Sequence, residues 1–518
     1  MSGDYSRTRF DPRKHFTGVL MQQGRVQLDS DWNEMVLQFD RRFRAERSDT
    51  LLRHIVPRRT PDAFRVRLGD GKLSLGAGRM YVDGLMPENH GDPSVPAIFD
   101  PVLHEPRSPG PLDYASGQPY FPAAVVPALP AGPFLVYLDT WQREVTFIED
   151  PGLVEPALGV DTTTRSQTAW RVRILPGVAT PPTPAEFDPL VVPQRDDFDP
   201  ASHIPPAYWA ALTRAPAGRL STGTVDTQDP GDNPCIIPPS GGYRGLENQL
   251  YRVEIHRSGP AGVARFKWSR DNASIAAQVL GVAGPAAITV SSVGRDPVLR
   301  FSAGDWVELL DDLLEPDGLR PEAGVLRRVL RVDDEARLLE FDPDPTSDLT
   351  QQFPADTLTT RHTRVRRWDQ PAADLAVPKD GAPVLLEHGV TVSFTTADPA
   401  DPAPFRAGDH WTFAARTEGS VEALDRAPPH GDHHHHAPLA WVDPTHQSVV
   451  DLRTLWPQQL PAGAGECTHH LRAESHNHPE GFTIQQALDD LRPRGGGSIC
   501  LGPGVFYITD DALRIDHL

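Results

Sequence analysis

The sequence predicts a mainly β protein, with one long helix near its N-terminus followed by several small barrel-like or sandwich-like β modules. Three observations lead to this fold class. The 54 prolines and 42 glycines scatter between short apolar runs, which is typical of strands joined by turns. Two-residue alternation of apolar and polar side chains recurs along the chain, whereas a strong 3.6-residue apolar period occurs once. A chain of 518 residues is long enough for three or four domains, each with its own core.

Turn-rich boundaries divide the chain into six segments. They are an N-terminal attachment arm and helix (1–60), a first β module (61–180), a proline-rich linker or arm (181–242), a second β module (243–375), a third β module with a histidine-rich loop (376–465) and a C-terminal segment (466–518).

The N-terminal segment predicts a β-turn-helix element. Apolar runs at 18–20 and 26–28 flank a glycine-containing turn, so we expect a short hairpin there. Asp31 lies three residues before Glu34, which is the spacing of a capping box. The helix should therefore begin at Asp31 and continue to about residue 55.

One face of this predicted helix is apolar. Trp32, Val36, Phe39 and Phe43 recur every three to four residues, as expected for one side of an amphipathic helix. We interpret this stripe as packed core, which is the usual role of such a pattern. The alternative is a docking face for another protein.

Charge and composition limit the partners. A formal charge of -20 argues against nucleic acid and against insertion into, or binding to, an anionic membrane. No apolar stretch has the length needed to span a bilayer. The three cysteines do not form a disulfide framework, and the polar N-terminus lacks the apolar core of a signal peptide. We therefore expect synthesis in the cytoplasm, with any release occurring by a route other than ordinary secretion.

The first β module begins with two turn signals. Asp70-Gly71 and Asp83-Gly84 separate short apolar runs, and both dipeptides favour tight hairpins. Residues 87–132 predict a long surface connection, because prolines interrupt them without a clear apolar period. A second hairpin is expected over 134–150, with its turn at Gln142-Arg143, and a further strand over 165–175.

The middle of the chain has the clearest strand pattern. Tyr251, Val253 and Ile255 alternate with charged residues, which predicts a half-buried strand. The charged residues nearby are Glu254, His256, Lys267, Arg270 and Asp271. They could form an active site, but cross-strand ion pairs on a solvent-exposed face are the interpretation we prefer.

A short internal repeat predicts two related β modules. Residues 301–310 and 405–416 share a phenylalanine, an Ala-Gly-Asp turn and a tryptophan, so each should be a turn feeding a strand, with the tryptophan in the core. Further strands are expected over 325–332 and 337–341.

Two histidine-rich clusters could bind a metal. The first consists of His430, His433, His434, His435 and His436, with Asp432 as a further ligand. A proline-flanked surface loop explains this cluster equally well and is preferred. The second consists of Cys467, His469, His470, His476 and His478, and its spacing matches no standard zinc pattern. We therefore expect no metal and no cofactor.

The C-terminal segment predicts an amphipathic helix over 482–491, then a glycine turn and strands over 498–501 and 505–508. This arrangement resembles the capped first coil of the pectin-lyase-like proteins, which are right-handed parallel β-helices. A β-helix needs several stacked coils to bury a core. The resemblance therefore implies that these residues are the start of a right-handed parallel β-helix in a longer protein.

A wider resemblance rests on motifs along the whole chain. They are FDPRKHFTGVLMQQGRVQLDSDWNE, VYLDTWQREVT with ALGVDTTTR, LENQLYRVEIH with FKWSRDN, and GDHWTFAAR with PPHGDHHHHAPLA. Together they resemble an uncharacterised bacterial family associated with phage-tail-like contractile injection systems. The resemblance implies a structural role, as a tail fibre, spike or baseplate-peripheral protein.

Three functional hypotheses follow. The first is this structural component. The second is a polysaccharide-degrading or carbohydrate-binding protein whose active region lies beyond residue 518, and the third is a metal-dependent binding module using the histidine loop. The chain contains no nucleophile elbow, no HExxH, no P-loop and no dinucleotide fingerprint. We therefore expect no enzymatic activity within these residues, and the structural hypothesis is preferred.

Attachment is expected through the N-terminus, with the C-terminal β-helix projecting. The predicted partner-binding residues are Arg9, Phe10, Arg13, His15, Phe16 and Trp32. A basic arm with aromatic anchors can become ordered on an acidic partner, although it could instead fold back over its own first β module. The expected partners are other particle proteins, sister subunits of a homo-oligomer such as a trimer, and a cell-surface glycan.

Overall fold

A computed structural model of the chain describes residues 3–100, 105–120, 126–188, 203–225, 242–294, 296–315, 320–373, 375–457, 467–478, 481–492, 499–502 and 504–508. The described helices are α1 Asp29–Thr50, α2 Pro184–Phe187, α3 Ala207–Leu212, α4 Leu349–Gln352, α5 Ala473–His476 and α6 Ile484–Leu491. The described strands are β1 His54–Pro57, β2 Val66–Gly69, β3 Lys72–Leu75, β4 Gly78–Arg79, β5 Tyr81–Val82, β6 Glu88–Asn89, β7 Ile98–Asp100, β8 Glu105–Arg107, β9 Leu112–Asp113, β10 Phe134–Val145, β11 Val154–Glu155, β12 Val160–Asp161, β13 Arg165–Pro176, β14 Gly218–Thr224, β15 Gln249–Arg257, β16 Arg265–Ser269, β17 Ala276–Val282, β18 Ala287–Val290, β19 Trp306–Leu310, β20 Val325–Asp333, β21 Leu338–Phe341, β22 Arg364–Trp368, β23 Leu375–Ala376, β24 Val384–Leu385, β25 Val390–Thr396, β26 His410–Ala415, β27 His435–Asp443, β28 Ser448–Asp451, β29 Leu455–Trp456, β30 His469–Leu471 and β31 Ile499–Leu501.

The predicted fold class is confirmed. Strands account for 35% and helices for 12%, so the protein is mainly β with many small sheets. The chain forms two compact units, residues 1–454 and residues 455–518. No helix in the described ranges combines the length and apolar character of a membrane-spanning segment.

The first unit is built from strands that are far apart in sequence. One sheet has the order β13-β10-β27-β28, a second β23-β16-β15-β26 and a third β14-β25-β24, while six strands close a barrel in the order β17-β18-β21-β20-β19-β22. Pairing of β10 with β27 and of β15 with β26 joins segments that the sequence places in different modules. The order of the chain therefore does not correspond to the order of the sheets.

Two predicted turns and the internal repeat are confirmed. Asp70-Gly71 joins β2 to β3, and Asp83-Gly84 follows β5, with positive φ at all four residues. Each copy of the repeat is a turn that feeds a strand, β19 in the barrel and β26 in the second sheet. Trp411 is fully buried, as expected, whereas Trp306 remains partly exposed.

Three predicted hairpins or strands are absent from the described residues. Residues 134–145 form one long strand instead of the hairpin expected over 134–150, because Gln142 and Arg143 continue the register against β13. These polar residues lie beyond the point where β27 stops pairing, at Thr140. Residues 18–28 form no hairpin, and residues 505–508 form no strand.

The long helix is confirmed, but its start is displaced. The α1 helix begins at Asp29, and Leu28 is its N-cap. Asp31 occupies the third helical position, where its carboxylate accepts a hydrogen bond from the Leu28 backbone N–H at 3.3 Å. The acidic side chain thus stabilises the helix N-terminus from inside the first turn.

The two proline-rich connections are partly structured. Residues 87–132 contain the short strands β6 to β9, so they are more than a surface connection. The predicted linker at 181–242 contains α2, α3 and β14. Strand β14 pairs with β25, which lies in the third module. Residues 189–202 and 226–241, which include Cys235, lie outside the described residues.

The second unit contains a helix and a pair of parallel strands. Helix α6 confirms the predicted amphipathic segment, since Ile484, Ala487 and Leu491 are buried and Thr483 caps its N-terminus. Strands β30 and β31 pair in parallel. The β-helix itself stays a prediction, because residues 509–518 are outside the described part of the chain.

Candidate functional site

The N-terminus presents an unusually apolar surface to solvent. We define the N-terminal apolar face as ten exposed side chains: Phe16, Leu20, Met21, Val26, Leu28, Trp32, Val36, Leu37, Phe39 and Phe43. Their exposed fractions range from 38% at Leu37 to 90% at Leu20. The interpretation of the α1 stripe as packed core is therefore wrong, and the alternative, a docking face for another protein, stays a prediction.

Helix α1 lies on the first unit through its polar side, which explains the exposed stripe. Ser30 and Gln38 are its buried residues. Asp40 accepts a hydrogen bond from the Gln142 amide at 3.3 Å, and Arg47 donates to the carbonyl of Gly84 at 3.2 Å. The helix is thus held by hydrogen bonds, and its apolar side stays exposed to solvent.

Gly84 allows this close approach. A Cβ atom at this position would lie 2.6 Å from the Arg44 carbonyl oxygen and 2.9 Å from the Arg44 Cα. The φ of +84° also disfavours any residue with a side chain. Only glycine lets the turn after β5 support the backbone of α1.

The start of the arm folds back on its own chain. The Gly3 N–H donates to Glu144 at 3.0 Å, and its carbonyl accepts from the Asn272 amide at 2.9 Å. Arg416 donates to the carbonyl of Ser6 at 2.6 Å. The fold-back alternative is therefore correct for residues 3–6, and it extends beyond the first β module, since Asn272 and Arg416 belong to later ones.

The six predicted partner-binding residues are not equivalent. Arg9 is engaged by Asp31 at 2.8 Å, and Phe10 is half-buried. Arg13 is exposed but pairs with Asp11 at 2.9 Å. His15, in a left-handed conformation with φ 57°, is exposed, and Phe16 and Trp32 belong to the N-terminal apolar face.

The structure brings most of these residues and the histidine loop, residues 430–436, around one cavity of about 2110 Å³. Five predicted partner-binding residues line it, all except His15. All five histidines of the loop line it as well. Two motifs that are over 380 residues apart in sequence therefore belong to one surface.

The histidines are held individually instead of converging on a metal. His434 Nδ1 is 2.6 Å from a carboxylate oxygen of Asp139. His435 Nδ1 is 3.0 Å from Asp83, while its Nε2 accepts from Arg44 of α1 at 3.1 Å. Within the described ranges, the one group of three ligand atoms close enough to share an ion is formed by Cys467, His470 and Cys500. The loop thus fixes α1 to the fold.

Burial lowers the pKa of three histidines of this loop. It lowers the pKa of His430 and His433, and it lowers the pKa of His436 to about 4, so these imidazoles are neutral at pH 7. Burial opposes ionisation of Asp139 too, but its contact with His434 and the nearby Arg171 holds its pKa well below the ordinary value. One ionised carboxylate therefore lies beside His434 and the cationic Arg171 and Arg173.

Acidification should destabilise the protein through His436. An unfolded histidine titrates near 6.5, so between pH 6.5 and 4 the unfolded chain binds the extra proton and stability falls as the pH falls. We expect the loss in unfolding free energy between pH 7 and 4.5 to be about 2 kcal/mol smaller in His436→Gln than in wild type. Chemical denaturation at both pH values measures it.

The comparison with the variant is necessary because Asp409 acts in the opposite direction. Burial raises its pKa to about 7, so the folded state gains protons there and stability falls as the pH rises from 4 to 7. Parallel pH profiles for wild type and His436→Gln would contradict the assignment to His436.

The charged residues of the middle segment form a buried cluster. Lys267 is fully buried, with Nζ 3.0 Å from Glu254 and in contact with Glu308. Arg366 Nη2 lies 2.9 Å from Glu308, and Trp368 Nε1 donates to the same carboxylate at 3.1 Å. Placing these ion pairs on a solvent-exposed face is therefore wrong, because the barrel strands β19 and β22 cover that side of β15 and β16.

This cluster has the properties of a structural ion-pair network between the barrel and the neighbouring sheet. The neighbouring lysine and arginines lower the pKa of both buried carboxylates despite the opposing effect of burial, to about 2 for Glu308. Every charge faces an opposite one. Arg270 and Asp271 lie apart from it, bonded to Glu387 at 2.7 Å and to Arg367 at 3.2 Å respectively.

Fold and site together define a class of protein: a multi-module β protein whose N-terminal helix exposes an apolar face. A family model described as a family of unknown function (DUF6519) matches residues 1–183 and 213–446. The match covers more than half of the chain, so the protein belongs to this family. Neither a curated protein nor a solved structure matches the chain.

Proposed function

We propose that the protein is a structural component of a phage-tail-like contractile injection particle, attached through its N-terminus as a tail fibre, spike or baseplate-peripheral protein. The exposed N-terminal apolar face is the observation that supports attachment through the N-terminus. The particle context rests on the motif resemblance described above.

The apolar face favours a protein partner on energetic grounds. Burying one large apolar side chain contributes about 1.5–3 kcal/mol, and ten such side chains are exposed within residues 16–43. Large exposed apolar patches mark interaction sites. The aromatic members Trp32, Phe39 and Phe43 are of the type that dominates binding energy at interfaces.

The charges around this face specify the partner's chemistry. Arg13 and Lys14 on the arm and Arg41 and Arg42 on α1 are exposed, within a protein whose formal charge is -20. A complementary surface is an apolar groove with carboxylates at its rim. A baseplate or tail protein would supply that groove.

The remaining parts are assigned by their position in the chain. The second unit, with its parallel strand pair, is the proposed projecting end, where a longer β-helix would face a cell-surface glycan. Sister subunits would share the same attachment site, giving a homo-oligomer such as a trimer.

Particle incorporation tests the attachment. The chain is tagged in a host that carries its gene, particles are purified by sedimentation, and the chain is quantified against sheath protein. We expect the triple variant Trp32→Ser/Phe39→Ser/Phe43→Ser to be incorporated at least tenfold less than wild type. These side chains are exposed, so the variant should keep the wild-type melting temperature.

A matched triple variant provides the control. Leu158, Ile204 and Leu246 are exposed by 63%, 88% and 95% and lie outside the apolar face. Serine at these three positions should leave incorporation unchanged. Absence of the wild-type chain from purified particles would overturn the proposed context, whereas normal incorporation of the aromatic triple variant would overturn only the attachment site. Point variants are preferable to deletion of residues 1–16, which would also remove the contacts of Gly3 and Ser6.

A further inference from the structure

We propose that Cys467, His470 and Cys500 bind a zinc ion in the second unit. One ligand atom from each residue lies within 4.8 Å of the other two. The ligand atoms of a single tetrahedral ion stay within this limit, because Zn–S is about 2.3 Å and Zn–N about 2.0–2.1 Å. Two thiolates and an imidazole are a donor set that zinc prefers.

The backbone preorganises the three ligands. His470 and Cys500 are register partners on the parallel strands β30 and β31, and adjacent positions of neighbouring strands place side chains on the same face. Cys467 lies three residues before His470, at the entry to β30. The core formed by Leu471, Ile484 and Ala487 supports this strand pair from within the unit.

Neighbouring histidines are committed elsewhere, which identifies His470 as the imidazole ligand. His469 Nε2 is 2.8 Å from Asp490. His476 accepts from the Ile484 N–H at 3.1 Å through Nδ1, and its Nε2 is 3.0 Å from the Tyr507 carbonyl. The His470 side chain is exposed, so a fourth coordination position is accessible to water or to an external ligand.

The competing state is a disulfide between Cys467 and Cys500. The structure shows this disulfide, with a Cα–Cα separation of 5.4 Å. A disulfide gives the adjacent His470 no role, whereas a metal uses all three side chains. Zinc binding requires the two thiolates, so the dithiol form is the one that binds. This proposal differs from the expectation, drawn from the sequence, that the chain holds no metal.

Metal analysis of the full chain tests the site. The reduced protein, kept in a phosphine reductant, is incubated with zinc, desalted and analysed by mass spectrometry. We expect about one zinc ion per chain, and at least tenfold weaker affinity in Cys467→Ser and in His470→Asn, measured by competition with a chromogenic chelator. Cobalt(II) substitution should give a thiolate charge-transfer band that disappears in Cys467→Ser.

Two variants make the test specific. His470 is exposed, so His470→Asn should retain the wild-type melting temperature and separates ligand loss from unfolding. Replacing His433, His434, His435 and His436 with asparagine tests the other histidine cluster and should leave stoichiometric zinc binding intact. The proposal is overturned if the reduced wild-type chain binds no zinc, or if Cys467→Ser and His470→Asn bind it as tightly as wild type.

Discussion

Replacing Lys267 with methionine should lower the free energy of unfolding by about 3–5 kcal/mol, because it leaves buried carboxylates without their shared cation. Lys267 has no exposed surface and contacts both Glu254 and Glu308. Methionine fills a similar volume, so the change measures the charge more than a cavity. Denaturant unfolding at pH 7 provides the measurement.

The pH dependence distinguishes this electrostatic effect from lost packing. In wild type the pKa of Glu308 is depressed to about 2, so its stabilising contribution is complete above about 4.5, the ordinary glutamate value, and is lost as the pH falls towards 2. In Lys267→Met the carboxylate pKa values should rise. The difference between wild type and variant should therefore shrink between pH 7 and pH 3.5.

Lys72 provides a matched control, since it is an exposed lysine in strand β3. Lys72→Met should change the free energy of unfolding by less than about 0.5 kcal/mol, as is usual for surface substitutions. If Lys267→Met proves equally mild, the cluster does not join the barrel to the neighbouring sheet. If Lys267→Met lowers the free energy of unfolding by the same large amount at every pH, Lys267 stabilises the protein through packing and not through its charge.

The sequence predicts the local elements of this cluster but not its burial. The alternation of Tyr251, Val253 and Ile255 correctly identifies a strand, and Glu254 lies correctly on the opposite face. That face is buried because β19 and β22, which come later in the chain, pack over it. Alternation in a strand indicates that one face is apolar. It cannot indicate that charged residues of later strands will pack over the polar face and bury it.

A similar limit explains the helix. The 3.6-residue period identifies α1 and its apolar side, yet the fold is contacted by Ser30, Gln38, Arg44 and Arg47. The contacts to the distant His435 and Gly84 decide which side faces inward. Polar groups on one side of a helix can hold it on the fold through hydrogen bonds, which leaves the apolar side exposed.

Some of the missed residues did carry a signal. Asp139 interrupts an otherwise apolar run in β10, and Glu308 interrupts one in β19. A charged residue within a continuous buried strand needs a charged partner, so both positions predict an ion pair without identifying the partner. His434 and Arg171 around Asp139 come from two other strands or loops and could be found only in the folded chain.

Replacing Asp139 with asparagine should lower the free energy of unfolding by about 3 kcal/mol, because it leaves a buried group of cations and imidazoles without its carboxylate. Asp139 is 2% exposed. Its carboxylate lies 2.6 Å from His434 Nδ1 and 3.1 Å from Arg173 Nε, with Arg171 at 3.6 Å. Asparagine has nearly the same shape as aspartate, so the loss in unfolding free energy measures the contribution of the negative charge.

The consequence should extend to α1, because the histidine loop links Asp139 to this helix through the contact of His435 with Arg44. We expect faster amide hydrogen exchange over residues 430–436 and over α1 in Asp139→Asn, measured by mass spectrometry in native buffer. Asp425 is exposed, and Asp425→Asn should leave both regions unchanged. If exchange increases in the loop but not in α1, the helix is held by its contacts with Gln142 and Gly84 alone, and the histidine loop has no part in presenting the apolar face.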